Sequence, residues 1–202
     1  MNVQAPDRAR IGPNAVIRAA EALDAFEGRA ATERLFAAAG IARYLAAPPA
    51  AMIAESEVRG LHAAIHRGLG DRRARSVSWI AGRRTADYLL AHRIPQPAQR
   101  VIAALPAPLA ARLLSTAIAR NAWTFAGSGR FSVTAGNPTL FEIADCPLCR
   151  EAWSATPYCD FYAATFEGLF AALVHADAKA EEVACAAQGD AACRFAVRWP
   201  RG

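Results

Sequence analysis

Apolar residues recur every three to four positions through the first 120 residues, then every second position over much of the remainder. That change of period divides the chain. Pro13 suits the first turn of a helix over 13–26, with Val16, Ile17, Ala20, Leu23 and Phe26 at helical spacing and Gly28 as its stop. A short second helix follows Thr32, carries Leu35 and Phe36 and closes at Gly40. Pro48-Pro49 interrupts the pattern. It resumes over 55–69, where Val58, Leu61, Ile65 and Leu69 share one face and Gly70-Asp71 punctuates. A helix over 76–92 comes next. Pro95, Pro97, Pro106 and Pro108 then separate two short helices, over about 98–105 and 109–120.

After Asn121 the reading is strands. Trp123 and Phe125, the turn Gly127-Ser128-Gly129, then Phe131 and Val133 predict a hairpin, and Leu140, Phe141 and Ile143 predict a third strand beyond Asn137-Pro138. A helix over 158–175 carries an aromatic stripe, and strands over 181–187 and 192–199 flank Gln188-Gly189-Asp190. The expected fold is α+β: N-terminal helices packed on a twisted, mostly antiparallel sheet, with one long C-terminal helix. The chain is read as one domain over 1–202, helical over 1–121 and strand-rich over 122–202.

Composition narrows the classes. Charged residues interrupt every long apolar stretch, so no membrane-spanning helix is expected, although 54% of residues are apolar. The first ten residues have no apolar core or cleavage signature, which predicts a cytosolic, cytoplasmic protein whose five cysteines are metal ligands or free thiols. The net charge of +5 is carried by 22 Arg and one Lys, and twelve of those Arg lie between Glu55 and Arg130. Such a region can meet nucleic acid, anionic headgroups or a carboxylate-bearing ligand. The arginines alternate with apolar helix positions and no nucleic-acid signature accompanies them, so a solvated helix face is the plainer reading and nucleic acid is not an expected partner.

Cys185 and Cys193 lie symmetrically about Gly189, so a hairpin turning there sets them opposite one another. That arrangement serves two ligands of one metal or a disulfide. Cys159, at the start of the long helix, can add a third sulfur, and a carboxylate can complete a zinc tetrahedron. Cys159, Glu182-Val183-Ala184-Cys185, Gly189-Asp190 and Cys193-Arg194-Phe195 together resemble the C-terminal signature of the 4-vinyl reductase domain family. The resemblance implies a structural zinc held by Cys159, Glu182, Cys185 and Cys193. It also implies a fold similar to vesicle-tethering subunits. On a regular strand Glu181, not Glu182, would share a face with Cys185, so Glu182 requires a bulge or a late strand start, with Glu181 as the reserve ligand. Cys146-Pro147-Leu148-Cys149 is a second thiol pair outside the family's quartet. It can enter another ligand set, form a reversible disulfide or stay inert.

Upstream, Arg10-Ile11-Gly12-Pro13-Asn14, Leu35-Phe36 before Gly40, and Glu55-Ser56-Glu57-Val58 extend the likeness, over essentially the whole chain, to the bacteriochlorophyll-biosynthesis members of that family. This implies tetrapyrrole ligands of porphyrin, magnesium-porphyrin or chlorophyllide type, and pathway enzymes as partners. Reducing a vinyl group needs a source of electrons. Gly127-Ser128-Gly129 has no third glycine and leads into a strand, so it is no dinucleotide fingerprint. The expectation is therefore a tetrapyrrole-binding carrier or accessory protein. The alternatives are a vinyl reductase working with an external reductant and a small-molecule sensor. Tyr158, Tyr162, Phe166 and Phe170 could wall a flat pocket, or be plain core, and Arg83 and Arg84 could pair with propionates. His62 and His66 have ligating spacing but are read as partly exposed helix residues. A homodimer and a position peripheral to the photosynthetic membrane stay open.

Overall fold

The computed structural model describes residues 9–200. The N-terminal residues 1–8, on which the cytosolic reading largely rests, lie outside the described residues. A two-residue strand β1 (Arg10–Ile11) leads into α1 (Asn14–Phe26), α2 (Arg29–Ala38) and α3 (Arg43–Ala46). Strand β2 (Ile53–Ala54) pairs antiparallel with β1 and brings the chain to α4 (Glu55–Leu69) and α5 (Asp71–His92). Two short helices come after these, α6 (Gln96–Ala103) and α7 (Ala107–Arg120), each with a proline in its first turn, where the missing N–H costs nothing.

The second half supplies β3 (Arg130–Thr134), β4 (Thr139–Ala144), α8 (Asp160–Leu173), β5 (Lys179–Ala184) and β6 (Ala192–Arg198). The four strands form one antiparallel sheet in the order β3-β4-β6-β5. One face packs Phe141, Ile143, Phe195 and Val197 into the core, and the other carries charged pairs such as Arg194 with Glu142.

Between the sheet and the helical layer runs α8, every residue of which from Asp160 to Phe170 is buried. It lies close against α5. A Cβ on Gly82 would come within 2.3 Å of the Phe161 carbonyl oxygen, and one on Gly168 within 2.5 Å of the Ala86 Cβ. These two glycines let the helix backbones approach.

The α+β class and antiparallel sheet are as expected, with two departures. Trp123 and Phe125 do not begin a strand. Ala122–Thr124 forms a single 3-10 turn, fixed by the Gly12 N–H donating to the Thr124 carbonyl at 2.7 Å and the Tyr162 hydroxyl donating to the Phe125 carbonyl at 2.7 Å. Long-range bonds to this backbone override the local alternation. The hairpin instead joins β3 to β4, and among the described residues this sheet has four strands, not five. Second, β5 ends at Ala184, and Ala186–Gln188 turns as a 3-10 segment before Gly189, so Cys185 sits just beyond the ladder.

Candidate metal centre

All five cysteines are reduced and buried. They come from three places. Cys159 occupies the N-cap position of α8. Cys185 comes directly after β5, and Cys193 lies on β6, opposite Ile143. Cys146 and Cys149 sit in the loop after β4. Two non-glycine residues at positive φ, Asp145 (55°) and Glu151 (65°), bracket that loop, which curls so that the Arg150 N–H reaches the Cys146 carbonyl at 3.0 Å. Such backbone conformations each cost on the order of 1–3 kcal/mol and persist where the surroundings impose them.

The thiols converge on one another. Sγ separations are 3.7 Å for Cys146 and Cys159, 3.8 Å for Cys159 and Cys193, and 3.3 Å for Cys149 and Cys193. Zinc–sulfur bonds of ~2.3 Å at tetrahedral angles put ligand sulfurs about 3.8 Å apart. Two groups of four donors, each with its atoms within 4.8 Å of one another, meet that requirement. One is Cys159, Glu182, Cys185 and Cys193; the other is Cys146, Cys149, Cys159 and Cys193.

Glu182 reaches the cluster because the pairing slips between Glu182 and Ala184. The irregularity turns Val183 outward and leaves Glu182 buried on the cysteine side, while Glu181 faces solvent beside Arg198. One Glu182 oxygen accepts from the Cys159 N–H at 2.7 Å; the other, Oε1, is buried with no partner. An orphaned carboxylate oxygen among thiols is what a cation would satisfy. Without one, burial, and then the charge of Cys185, push the Glu182 carboxyl up to about 10. Burial, and then hydrogen bonds from its fellow thiols, also raise Cys159. Cys185 is drawn down to about 6 by hydrogen bonds from Cys149 and Cys159, and Cys193 to about 6 by bonds led by Cys146. The Ala186 N–H donates to the Cys193 sulfur at 3.4 Å, and Asp190 accepts from the Cys185 N–H at 2.8 Å, shaping the turn. Arg75 of α5 forks onto Asp160 at 2.8 and 3.2 Å and so fixes the residue next to Cys159.

The remaining residues singled out in the sequence lie elsewhere. Tyr158, Tyr162, Phe166 and Phe170 are buried. Phe166 meets Phe141 and Phe195 of the sheet, and Phe170 meets Phe141 and Trp199. They are core, and none of these rings lines either open cleft among the described residues. Arg83 lies 3.7 Å from Glu167 and Arg84 3.4 Å from Glu21, both half-exposed. His62 and His66 are buried rather than partly exposed. His62 meets the edge of Phe161, and burial first, then His66, lowers it to about 4. His66 stacks on Tyr158 at 3.8 Å.

Sequence reasoning missed Glu55. Its carboxylate is buried and accepts from the Ser128 N–H and hydroxyl, each at 2.9 Å, and from Arg150 at 2.7 Å. Gly127 (φ 57°) is required there, since a Cβ would lie 2.4 Å from Glu55 Oε2. Gly127 and Ser128 also edge an open cleft of about 490 Å³ lined by Ala9, Arg10, Met52 and the exposed Trp123. The exposed tryptophan was the signal available.

A helical layer, an enclosed aromatic helix and an antiparallel sheet closed by a thiol cluster define the class, and residues 139–199 match the 4-vinyl reductase domain family. The overall fold is shared with solved H-NOX structures. One, from work on haem distortion in the H-NOX family, has a TM-score of 0.57 at 13% identity over 95% of this chain and 96% of that one. Another, an H-NOX protein from S. oneidensis, has a TM-score of 0.54 at 9% identity, covering 95% and 100%. Two relatives are similar along nearly their whole length. The bacteriochlorophyll synthase 23 kDa chain of Cereibacter sphaeroides is 46% identical over 196 residues, covering 96% of this chain and 92% of the relative. That of Rhodobacter capsulatus is 41% identical, covering 97% and 90%. The chain belongs to the family of bacteriochlorophyll synthase 23 kDa chains, which carry the 4-vinyl reductase domain.

Proposed function

We propose that this protein serves bacteriochlorophyll biosynthesis as a tetrapyrrole-binding carrier or accessory chain, with a structural zinc on Cys159, Glu182, Cys185 and Cys193. Its partners would be a porphyrin or magnesium-porphyrin intermediate and the pathway enzymes that receive it. The relatives' name supports the pathway.

The observation that carries the binding reading is how the Gly127-Ser128-Gly129 turn is occupied. Its N–H and hydroxyl donors, which in a nucleotide site would face a phosphate, are taken by the carboxylate of Glu55. A four-ligand protein set around zinc likewise leaves no position for substrate. The cleft beside that turn offers an aromatic face in Trp123, a thioether in Met52 and a guanidinium in Arg10, which suit a flat macrocycle bearing carboxylates.

Titrating the protein with protoporphyrin and its magnesium form, followed at the Soret band, tests the reading. Saturable binding, weakened about tenfold by Trp123→Ala, is expected. Absence of binding removes the carrier. Loss of the vinyl signature once NADPH or a flavin reductant is added would make the protein the reductase instead.

A further inference from the structure

The two donor groups share two members, Cys159 and Cys193, and each adds two of its own: Cys146 and Cys149 on one side, Glu182 and Cys185 on the other. Two tetrahedra with one edge in common have this arrangement. From it we infer that the centre is binuclear: two divalent cations, of which zinc is the natural choice, bridged by the thiolates of Cys159 and Cys193. Cys146 and Cys149 would complete one ion's shell, and Glu182 and Cys185 the other's. The inference rests on the metal-centre reading above and adds a second ion to it.

Several observations converge. The shared edge measures 3.8 Å, the spacing of two sulfurs on one tetrahedral metal, and Cys146 stands 3.7 Å from Cys159. The loop carrying the second pair is shaped by backbone at positive φ on both sides of it. It is also tied down through Arg150, which bonds Glu55 and the Asp145 carbonyl. Inert buried thiols would pack against apolar side chains, as free cysteines usually do. These two point at other sulfurs instead.

Charge permits the second ion. One dication on three thiolates and a carboxylate leaves a double negative charge. Two further thiolates with a second dication leave the same balance, their two protons passing to solvent. Thiolate and carboxylate donors in tetrahedra favour zinc, and a cubane iron–sulfur cluster needs its cysteine sulfurs farther apart than these.

Cobalt(II) titration of the full-length, fully reduced chain is decisive. The sulfur-to-cobalt charge-transfer band should climb to two equivalents. At full loading the EPR signal per cobalt should be weaker than that of an isolated ion, because the shared sulfurs couple the two spins. Cys146→Ala/Cys149→Ala should stop at one equivalent, give the uncoupled signal and keep its fold by circular dichroism. A wild-type chain that saturates at one cobalt overturns the binuclear centre and leaves the single zinc site standing. A chain that takes none overturns both. Two uncoupled ions overturn the bridging, as does iron with acid-labile sulfide in the protein as isolated.

Discussion

At the scale of single residues, the donors of the centre differ in what they hold before a cation arrives. Glu182, pushed up to about 10 by burial and by Cys185, and Cys159, raised by burial and its neighbours, keep their protons at neutral pH. Cys185 and Cys193, near 6, have largely lost theirs. Occupation of the Cys159, Glu182, Cys185 and Cys193 set at pH 7 should therefore release about two protons per zinc. Calorimetry of Cys146→Ala/Cys149→Ala in buffers of different ionisation enthalpy counts them. A count near zero would mean the carboxyl is already ionised. As pH falls through about 6, Cys185 and Cys193 take up protons and compete with the metal, so affinity should drop more steeply there than between pH 7 and 8. Glu182→Gln keeps the shape but gives up the charge, and should lower zinc affinity by at least ~10-fold.

At the scale of elements, α5 and α8 meet backbone to backbone. Gly82→Ala places a methyl against the Phe161 carbonyl, which is backbone and cannot step aside. The expected cost is about 1–3 kcal/mol in a denaturation experiment. Gly168→Ala, which meets the Ala86 methyl, belongs to the same range. Helix α4 was legible in the sequence because its apolar stripe, acidic first turn and terminal glycine all agree. The supposed strand through Trp123 and Phe125 was not, because its backbone partners are Gly12 and Tyr162, far away in the chain. The aromatic stripe of α8 was visible, but whether it lined a pocket depended on α5 covering its other side. At the centre, the quartet could be named from spacing. The bulge that selects Glu182 over Glu181 was foreseen as a requirement only, and the inward curl of Cys146 and Cys149 depends on loop dihedrals that no spacing encodes.

At the scale of the whole molecule, the cluster joins the start of α8 to both strands of the last hairpin, in a chain whose central helix is otherwise held by packing. Cys193→Ser should lose zinc and melt several degrees lower, and a chelator should have the same effect on the unmodified protein, reversible on adding zinc. One carboxylate connects this region with the cleft. Glu55 grips Ser128 at the cleft's edge and Arg150 of the cysteine loop at once. Occupancy of either place then biases the other, and thermodynamics makes the bias reciprocal: whatever factor zinc adds to macrocycle affinity, the macrocycle must add to zinc affinity. The ratio of porphyrin dissociation constants with and without zinc measures that factor, and Glu55→Gln should bring it toward one. On this view metal supply would set how firmly a pigment intermediate is carried, making this chain a point where zinc status meets pigment synthesis.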